Sequence, residues 1–187
     1  MVTEKVEGMT VKIVGTGNQF IDSRFKPYHA WMKDEEYSKV LDNIAVTCVD
    51  VVVICSGEII IGKRRVEPWP NDWIIGGRMI AGETFEEAAQ RNIKRELGLD
   101  IDPSRFSYLG TYNFVWAKRY QEPTNHGSHN VSITMTLKIS EAEWKKIKFD
   151  KKEHRGLKRF KPLMIRNDEK FHPAVRNWAN EIIQKNI

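Results

Sequence analysis

Cysteine is scarce in this chain: 187 residues contain two, Cys48 and Cys55, both inside one β-branched run. With no second pair, neither a disulfide framework nor a cysteine zinc site is expected, and a reducing compartment is. Long apolar runs are missing as well. The longest, Ala45 to Cys55, is broken by Asp50 and falls far short of the ~18 residues that suggest a membrane span. The opening MVTEKVEGMT mixes acids and bases around no apolar core, so it does not read as a secretory leader, and a cytoplasmic protein without membrane contact is expected. Internal repeats and low-complexity tracts are absent. Disordered, coiled-coil and collagenous classes are excluded by composition. What remains is a globular chain, 41% hydrophobic, with enough apolar residue for a core. At roughly 100–200 residues per domain, its length fits one domain with an extension.

The charge is uneven. Thirty Lys and Arg against 25 Asp and Glu leave +5, yet the segment from Trp144 to Arg166 alone carries ten basic residues against Asp150 and Glu153, a local +8. The rest of the chain therefore sums to −3. A basic segment on a mildly acidic body suits an anionic ligand at one place, a phosphate or a nucleic acid backbone, or else is a solvated face.

Residues 1–31 contain a short strand around Val11 and Ile13 and a Gly/Asn-rich GTGNQF stretch, and are expected to form an N-terminal extension to a domain over 32–187. DEEYSKVLDN, from Asp34 to Asn43, predicts a helix with acids in its first turn. AVTCVDVVVIC and IIIG, joined through Ser56-Gly57, predict two strands and a tight turn. Lys63 to Asp72 predicts a loop, and Trp73 to Ile75 a short strand running into Gly76-Gly77. The clearest helix follows. Thr84 and Glu87 form a capping box, Gly98 stands at the C-cap, and Phe85, Ala89, Ile93 and Leu97 recur every fourth residue. Strands are expected at Phe106 to Phe114 and Val131 to Ile139, with a polar loop between them. SEAEWKKI predicts a short helix capped by Ser140, and Pro173 to Ile187 a terminal amphipathic helix. Strands and helices alternate without regular βαβ spacing, which points to an α/β fold, a mixed sheet between helices.

The segment GGRMIAGETFEEAAQRNIKRELGLD, from Gly76 to Asp100, carries the chemistry. A double glycine allows close backbone approach to a ligand, and the helix then places Ala88, Asn92, Arg95 and Glu96 on a strip bordering its buried face. Gly77, Glu83, Arg91, Ile93, Glu96, Gly98 and Leu99 match the Nudix box in register, so the segment resembles that superfamily and implies its α/β/α sandwich. Asn92 and Arg95 stand where the box has glutamates. Attack on phosphorus usually relies on a carboxylate cluster holding metal ions, and this helix retains Glu96 alone.

The reduced box is most similar to the GDP-mannose mannosyl hydrolase branch, with further likeness in the stretch from Asp34 to Ile54, in Gly62 to Arg64, and at Glu153-His154. That resemblance implies cleavage of a nucleotide sugar at the anomeric carbon, giving nucleoside diphosphate and free sugar. It implies one Mg²⁺ or Mn²⁺ held by the Gly76 carbonyl, Glu96 and Glu153, with His154 as the base that activates water and Arg78 neutralising the leaving diphosphate. Asp50 and Arg64 match positions near the substrate. A homodimer is implied too.

Bland alternatives stand beside these roles. Glu83 and Arg91 read as a structural ion pair, since they lie off the strip. Asp50 reads equally as a buried hydrogen-bonded acid, and Arg64 and Arg65 as surface charge. His126 and His129 lack a third metal partner, which favours substrate or loop contacts, with His129 placed among the substrate-binding residues. Trp69, Trp73 and Trp116 either stack on a base or brace the core. His29 and His172 carry no context. The competing functions are a pyrophosphohydrolase, in which Glu96, Glu153 and Glu122 rebuild a metal site, and a non-catalytic nucleotide- or RNA-binding domain. No RNA-binding signature supports the latter, so nucleic acid is not the expected partner.

Overall fold

The computed structural model describes residues 2–6, 9–14, 17–22, 24–28 and 32–187. His29 lies outside them. The first strands, β1 (Val2–Val6), β2 (Met9–Val14) and β3 (Gly17–Asp22), form an antiparallel three-stranded sheet of their own. The sequence predicts only the middle strand, around Val11 and Ile13. The amide of Gln19 bridges to the main part of the chain, donating to the carbonyls of Gly82 (3.2 Å) and Glu83 (3.1 Å).

Helix α1 (Asp34–Asn43) leads into β4 (Val46–Cys55), a turn at Ser56-Gly57, and β5 (Glu58–Arg64). The short strands β6 (Asp72–Trp73) and β7 (Ile75–Arg78) follow, then α2 (Phe85–Leu97), β8 (Ser107–Trp116), β9 (Ser128–Ile139), α3 (Glu141–Trp144), β10 (His154–Phe160), α4 (Pro162–Asn167) and α5 (Pro173–Lys185). The main sheet runs β10-β5-β4-β9-β8, with β6 on β5 and β7 on β4. Only β4 and β9 are parallel, paired from Val46↔Asn130 to Cys55↔Ile139, so the sheet is mixed, as predicted.

The near-continuous apolar text of β4 has a simple cause: both faces are covered. Val49, Val51 and Val53 pack with Ala89, Ile93 and Leu97 of α2. The alternate residues Val52 and Ile54 pack with Val175, Trp178 and Ile182 of α5. The result is an α/β/α sandwich. Among the described residues no helix is long and apolar enough to cross a membrane.

Helix α2 keeps the predicted limits because its ends are chemically fixed. Thr84 Oγ1 accepts from the Glu87 amide (3.2 Å) and the Glu87 carboxylate accepts from the Thr84 amide (2.7 Å). Gly98 closes the helix at φ +69°. The basic segment then folds back on that end, with the amides of Lys148 and Asp150 donating to the carbonyls of Leu97 and Glu96, both at 2.9 Å. Unpaired helix-end carbonyls are thus met by the segment that leads into β10.

Several limits differ from expectation. The helix over SEAEWKKI ends at Trp144, and the residues beyond it form β10 and α4, which the lysine-rich text conceals. β9 starts at Ser128 and β8 runs to Trp116, because Ser128, His129 and Asn130 pair with Trp116, Val115 and Phe114. The intervening loop is correspondingly shorter.

Candidate functional site

β4, β5, β7, α2 and the residue just before β10 converge on one cleft of about 490 Å³. Its lining includes Cys48, Asp50, Arg64, Gly76, Gly77, Arg78, Arg95, Glu96 and Glu153, and an aromatic side made by Tyr37, Trp73, Phe114, Trp116 and Tyr120. Of the residues singled out from sequence, Asp50, Arg64, Gly76, Arg78, Glu96 and Glu153 therefore share this space.

Register explains the assembly. Asp50 pairs with Gly76 across β4 and β7, and a Cβ at Gly76 would sit 2.1 Å from Asp50 Oδ1. Glycine is required there because the Asp50 side chain crosses the strand. Likewise His154 pairs with Arg64 across β10 and β5, and its imidazole lies over Gly62, where a Cβ would meet Nδ1 at 2.6 Å.

Asp50 is buried, and Ser132 Oγ donates to its Oδ2 at 2.5 Å. Burial pushes its pKa up to about 6, against the opposing pull of Ser132 and Arg64, while Glu96 adds to the rise. The neighbouring Cys48 thiol is pushed up to about 12, chiefly by burial and further by Asp50, so it stays protonated and is no nucleophile at neutral pH.

Glu96 is fixed from both sides. His154 Nε2 lies 2.7 Å from Oε2, and Arg95 Nη2 donates to Oε1 at 2.5 Å. The imidazole has no exposed surface, and its Nδ1 has no hydrogen-bond partner among the described residues. His154 thus stands behind the Glu96 carboxylate, shielded from the cleft. Arg95 Nη2 also donates to the Gly76 carbonyl at 3.1 Å. Arg78 lies over the Tyr37 ring, 4.5 Å from its centroid.

The ligand set implied for a divalent ion can be tested against this geometry. The Gly76 carbonyl and Glu96 Oε1 already share one guanidinium nitrogen, and Glu96 Oε2 is held by His154. Among the described residues no group of three or more His, Cys, Asp or Glu side chains is arranged to hold a metal. Two of the three expected oxygens therefore converge on a fixed positive charge, and the arrangement does not fit a metal in that place.

Glu83 and Arg91 form a two-point pair, Nε to Oε1 at 2.5 Å and Nη2 to Oε2 at 2.9 Å. Arg91 also donates to the Arg78 carbonyl (2.9 Å), and Glu83 accepts from the Ile80 amide (2.8 Å). The pair braces the loop from Arg78 to Glu83 against α2. His129 does not line the cleft. It borders a shallower groove with His126 and Asp42, where His126 Nδ1 is 3.1 Å from Asp42 Oδ1. Glu122 is also absent from the cleft lining, and its carboxylate accepts from the Thr124 amide. Trp73 is mostly buried on Trp178 and reaches the cleft only at its edge, while Trp116 stacks on Phe114 (5.6 Å, 14°) in the cleft wall. His172 caps α5 and lies against Trp69 and Trp73.

Arg119 is the main residue that sequence reasoning misses. Nearly fully buried, it donates to Asp42 (2.7 Å), to Ser38 (2.6 Å) and to the Gly127 carbonyl (3.2 Å), tying the loop after β8 to α1. Nothing local marks it, since its partners come from distant segments. Ser132 and Thr134 did leave a signal, as polar residues alternating with apolar ones in a buried strand.

The NUDIX domain model matches residues 45–182 of the chain. The low-salt glycan biosynthesis protein Agl8 of Haloferax volcanii is 25% identical over 150 residues, 80% of this chain and 89% of that protein. An uncharacterized Nudix hydrolase of Listeria innocua is 39% identical over 72 residues, 34% of this chain, and the match spans 43% of that relative. The MutT protein of Methanosarcina mazei Go1 shares the fold at a TM-score of 0.61, covering 76% of this chain and 95% of that one at 15% identity.

Proposed function

The chain belongs to the Nudix family, and on that premise we propose that it hydrolyses a nucleoside-diphosphate sugar at the anomeric carbon, releasing nucleoside diphosphate and free sugar. The observation that carries this is the cleft's balance of charge. Arg64, Arg78 and Arg95 line it, while the helix strip that holds the family's carboxylates retains only Glu96, already bonded to Arg95 and His154.

Attack at phosphorus would call for a carboxylate cluster to hold metal ions around the phosphoryl oxygens, and on this helix Asn92 and Arg95 take the places of two of those carboxylates. Attack at carbon asks for less: an accommodated leaving diphosphate and one proton acceptor. Water oxygen bonds to the anomeric carbon, the glycosidic carbon–oxygen bond breaks, and its electron pair leaves with the diphosphate. Arg64 and Arg78 meet that charge. The water's proton goes to Asp50, whose raised pKa near 6 leaves it ionised but usefully basic at neutral pH. His154 acts by holding Glu96 and, through it, the arginine beside it. The stacked Phe114 and Trp116 offer a face for the nucleobase. The similarity to Agl8, whose name places it in glycan biosynthesis, is in keeping with a sugar-bearing substrate.

The test is product analysis with GDP-mannose as first probe, in ¹⁸O-labelled water. GDP and ¹⁸O-labelled mannose are expected. GMP with mannose 1-phosphate would move the attack to phosphorus, and no turnover across a panel of nucleotide sugars would leave a binding domain instead.

A further inference from the structure

The two positions at which α2 departs from the box pattern both supply hydrogen-bond donors, and both donate to adjacent glycine carbonyls. Asn92, fully buried, donates through Nδ2 to the carbonyls of Gly77 (3.3 Å) and Val49 (3.2 Å). Arg95 donates through Nη2 to the Gly76 carbonyl (3.1 Å) and Glu96 Oε1 (2.5 Å). A carbonyl and a carboxylate are both acceptors, so bringing them together calls for a cation or a donor between them. A metal ion is one solution. This chain uses a guanidinium.

We propose that Arg95 is the built-in cation of this site, joining the Gly76 carbonyl to Glu96 and presenting its remaining N–H groups to the substrate diphosphate, so that nucleotide binds without a divalent ion in that place. The diphosphate half of this statement rests on the function proposed above; the exclusion of a metal does not.

The surroundings are fitted to the guanidinium. A Cβ at Gly77 would lie 3.0 Å from Arg95 Nη2, tighter than an ordinary contact, so the guanidinium lies close against the backbone there. Glu96 Oε2 is anchored by the fully buried His154, which leaves Oε1 aimed at the arginine. The Arg95 side chain is 43% exposed, and among the described residues Nη1 and Nε donate to nothing. Arginine keeps its charge at any working pH, and its planar fork suits two-point contact with phosphate. A divalent ion entering here would have to displace that charge or sit beside it, and repulsion opposes both. Removing it exposes a carbonyl and a carboxylate, with Asp50 adjacent to Gly76, a set of hard oxygen donors of the kind Mn²⁺ and Mg²⁺ favour.

The experiment titrates Mn²⁺ alone, followed by electron paramagnetic resonance and calorimetry, into the full chain and its Arg95→Ala variant. GDP is titrated separately, in EDTA and in Mn²⁺. The unaltered protein is expected to take up no Mn²⁺ at this site and to bind GDP equally in both buffers. Arg95→Ala is expected to gain a Mn²⁺ site at least about tenfold tighter, to lose about tenfold in GDP affinity in EDTA, and to recover it with Mn²⁺. Adding Glu96→Gln to Arg95→Ala should abolish the gained site. Arg95→Lys keeps the charge and should keep Mn²⁺ out; equal uptake by the Lys and Ala variants overturns the charge argument. A Mn²⁺ site in the unaltered protein that Arg95→Ala leaves unchanged overturns the proposal outright. If GDP binds in neither buffer, the nucleotide function falls, while the Mn²⁺ titrations still decide what Arg95 does.

Discussion

Two arginines one turn apart on helix α2, Arg91 and Arg95, each pair with a carboxylate, and the two pairs do opposite work. Arg91 and Glu83 close on each other through two bonds, and their spare groups go to the Arg78 carbonyl and the Ile80 amide, so the pair is complete within the fold. Arg95 and Glu96 meet through one bond, with the arginine side chain partly exposed on the cleft and the carboxylate backed by a buried imidazole. Arg91 and Arg95 project from the same side of the helix, one turn apart, and the difference lies in what each meets: the Arg78–Glu83 loop for one, the cleft for the other. A pair that is satisfied internally fastens a loop, whereas one with donors left over is available to a ligand.

The sharpest way to break this comparison is Arg95→Ala. Activity on the cleaved nucleotide sugar should fall about a hundredfold in kcat/KM, equivalent to about 2.7 kcal/mol of transition-state stabilisation, while stability in urea changes by less than about 1 kcal/mol. A stability loss matching that of Arg91→Ala would show the two pairs to be alike.

Arg91→Ala is expected to lower the free energy of unfolding by about 2 kcal/mol. It leaves Glu83 largely buried without its ion-pair partner, held only by the Ile80 amide, and frees the Arg78 carbonyl; the size is held below that of a fully buried pair because the arginine is 30% exposed. Urea denaturation measures this, and any fall in activity should follow the looser placement of Arg78.

A smaller effect separates the acid behind the pair from the pair itself. Asp50 has its folded pKa raised to about 6 from the ordinary aspartate value of 3.8, chiefly by burial. Its contribution to stability is therefore complete below about pH 4 and is lost as pH rises through about 6, because the folded state binds the proton more tightly. Asp50→Asn keeps a neutral acceptor for Ser132 at every pH. The stability gap between Asp50→Asn and the unaltered protein should grow from near zero at about pH 4 to on the order of 1–2 kcal/mol in favour of the variant at about pH 7. Denaturation curves across that range check it, and a gap independent of pH would mean that Asp50 does not ionise there.

Much of the fold was legible because its signals are local. Periodicity and capping chemistry set the limits of α2, a β-branched run announced β4, and the Ser56-Gly57 turn announced the hairpin. The legible part of the site was likewise written in one segment, Gly76 to Leu99, where fixed spacing along a loop and a helix survives in the text. β10 was hidden because it lies inside a lysine-rich stretch whose alternation is masked by charge, and Arg119 because its partners, Ser38 and Asp42, are about eighty residues away.

By itself, then, the sequence determined which backbone segments become helix or strand, and that Glu96 is the one glutamate left on the metal strip of the box. Tertiary structure alone decided what the substituted positions do. Whether Arg95 points into solvent or joins Gly76 to Glu96, and whether His154 meets water or lies buried behind a carboxylate, depends on β7, just before α2 in the chain, and β10, far beyond it, both arriving beside the helix. Hydrogen-bond partners separated by 19 and 58 residues leave no trace in local pattern, and they are what turns a reduced box into a site with its own positive charge.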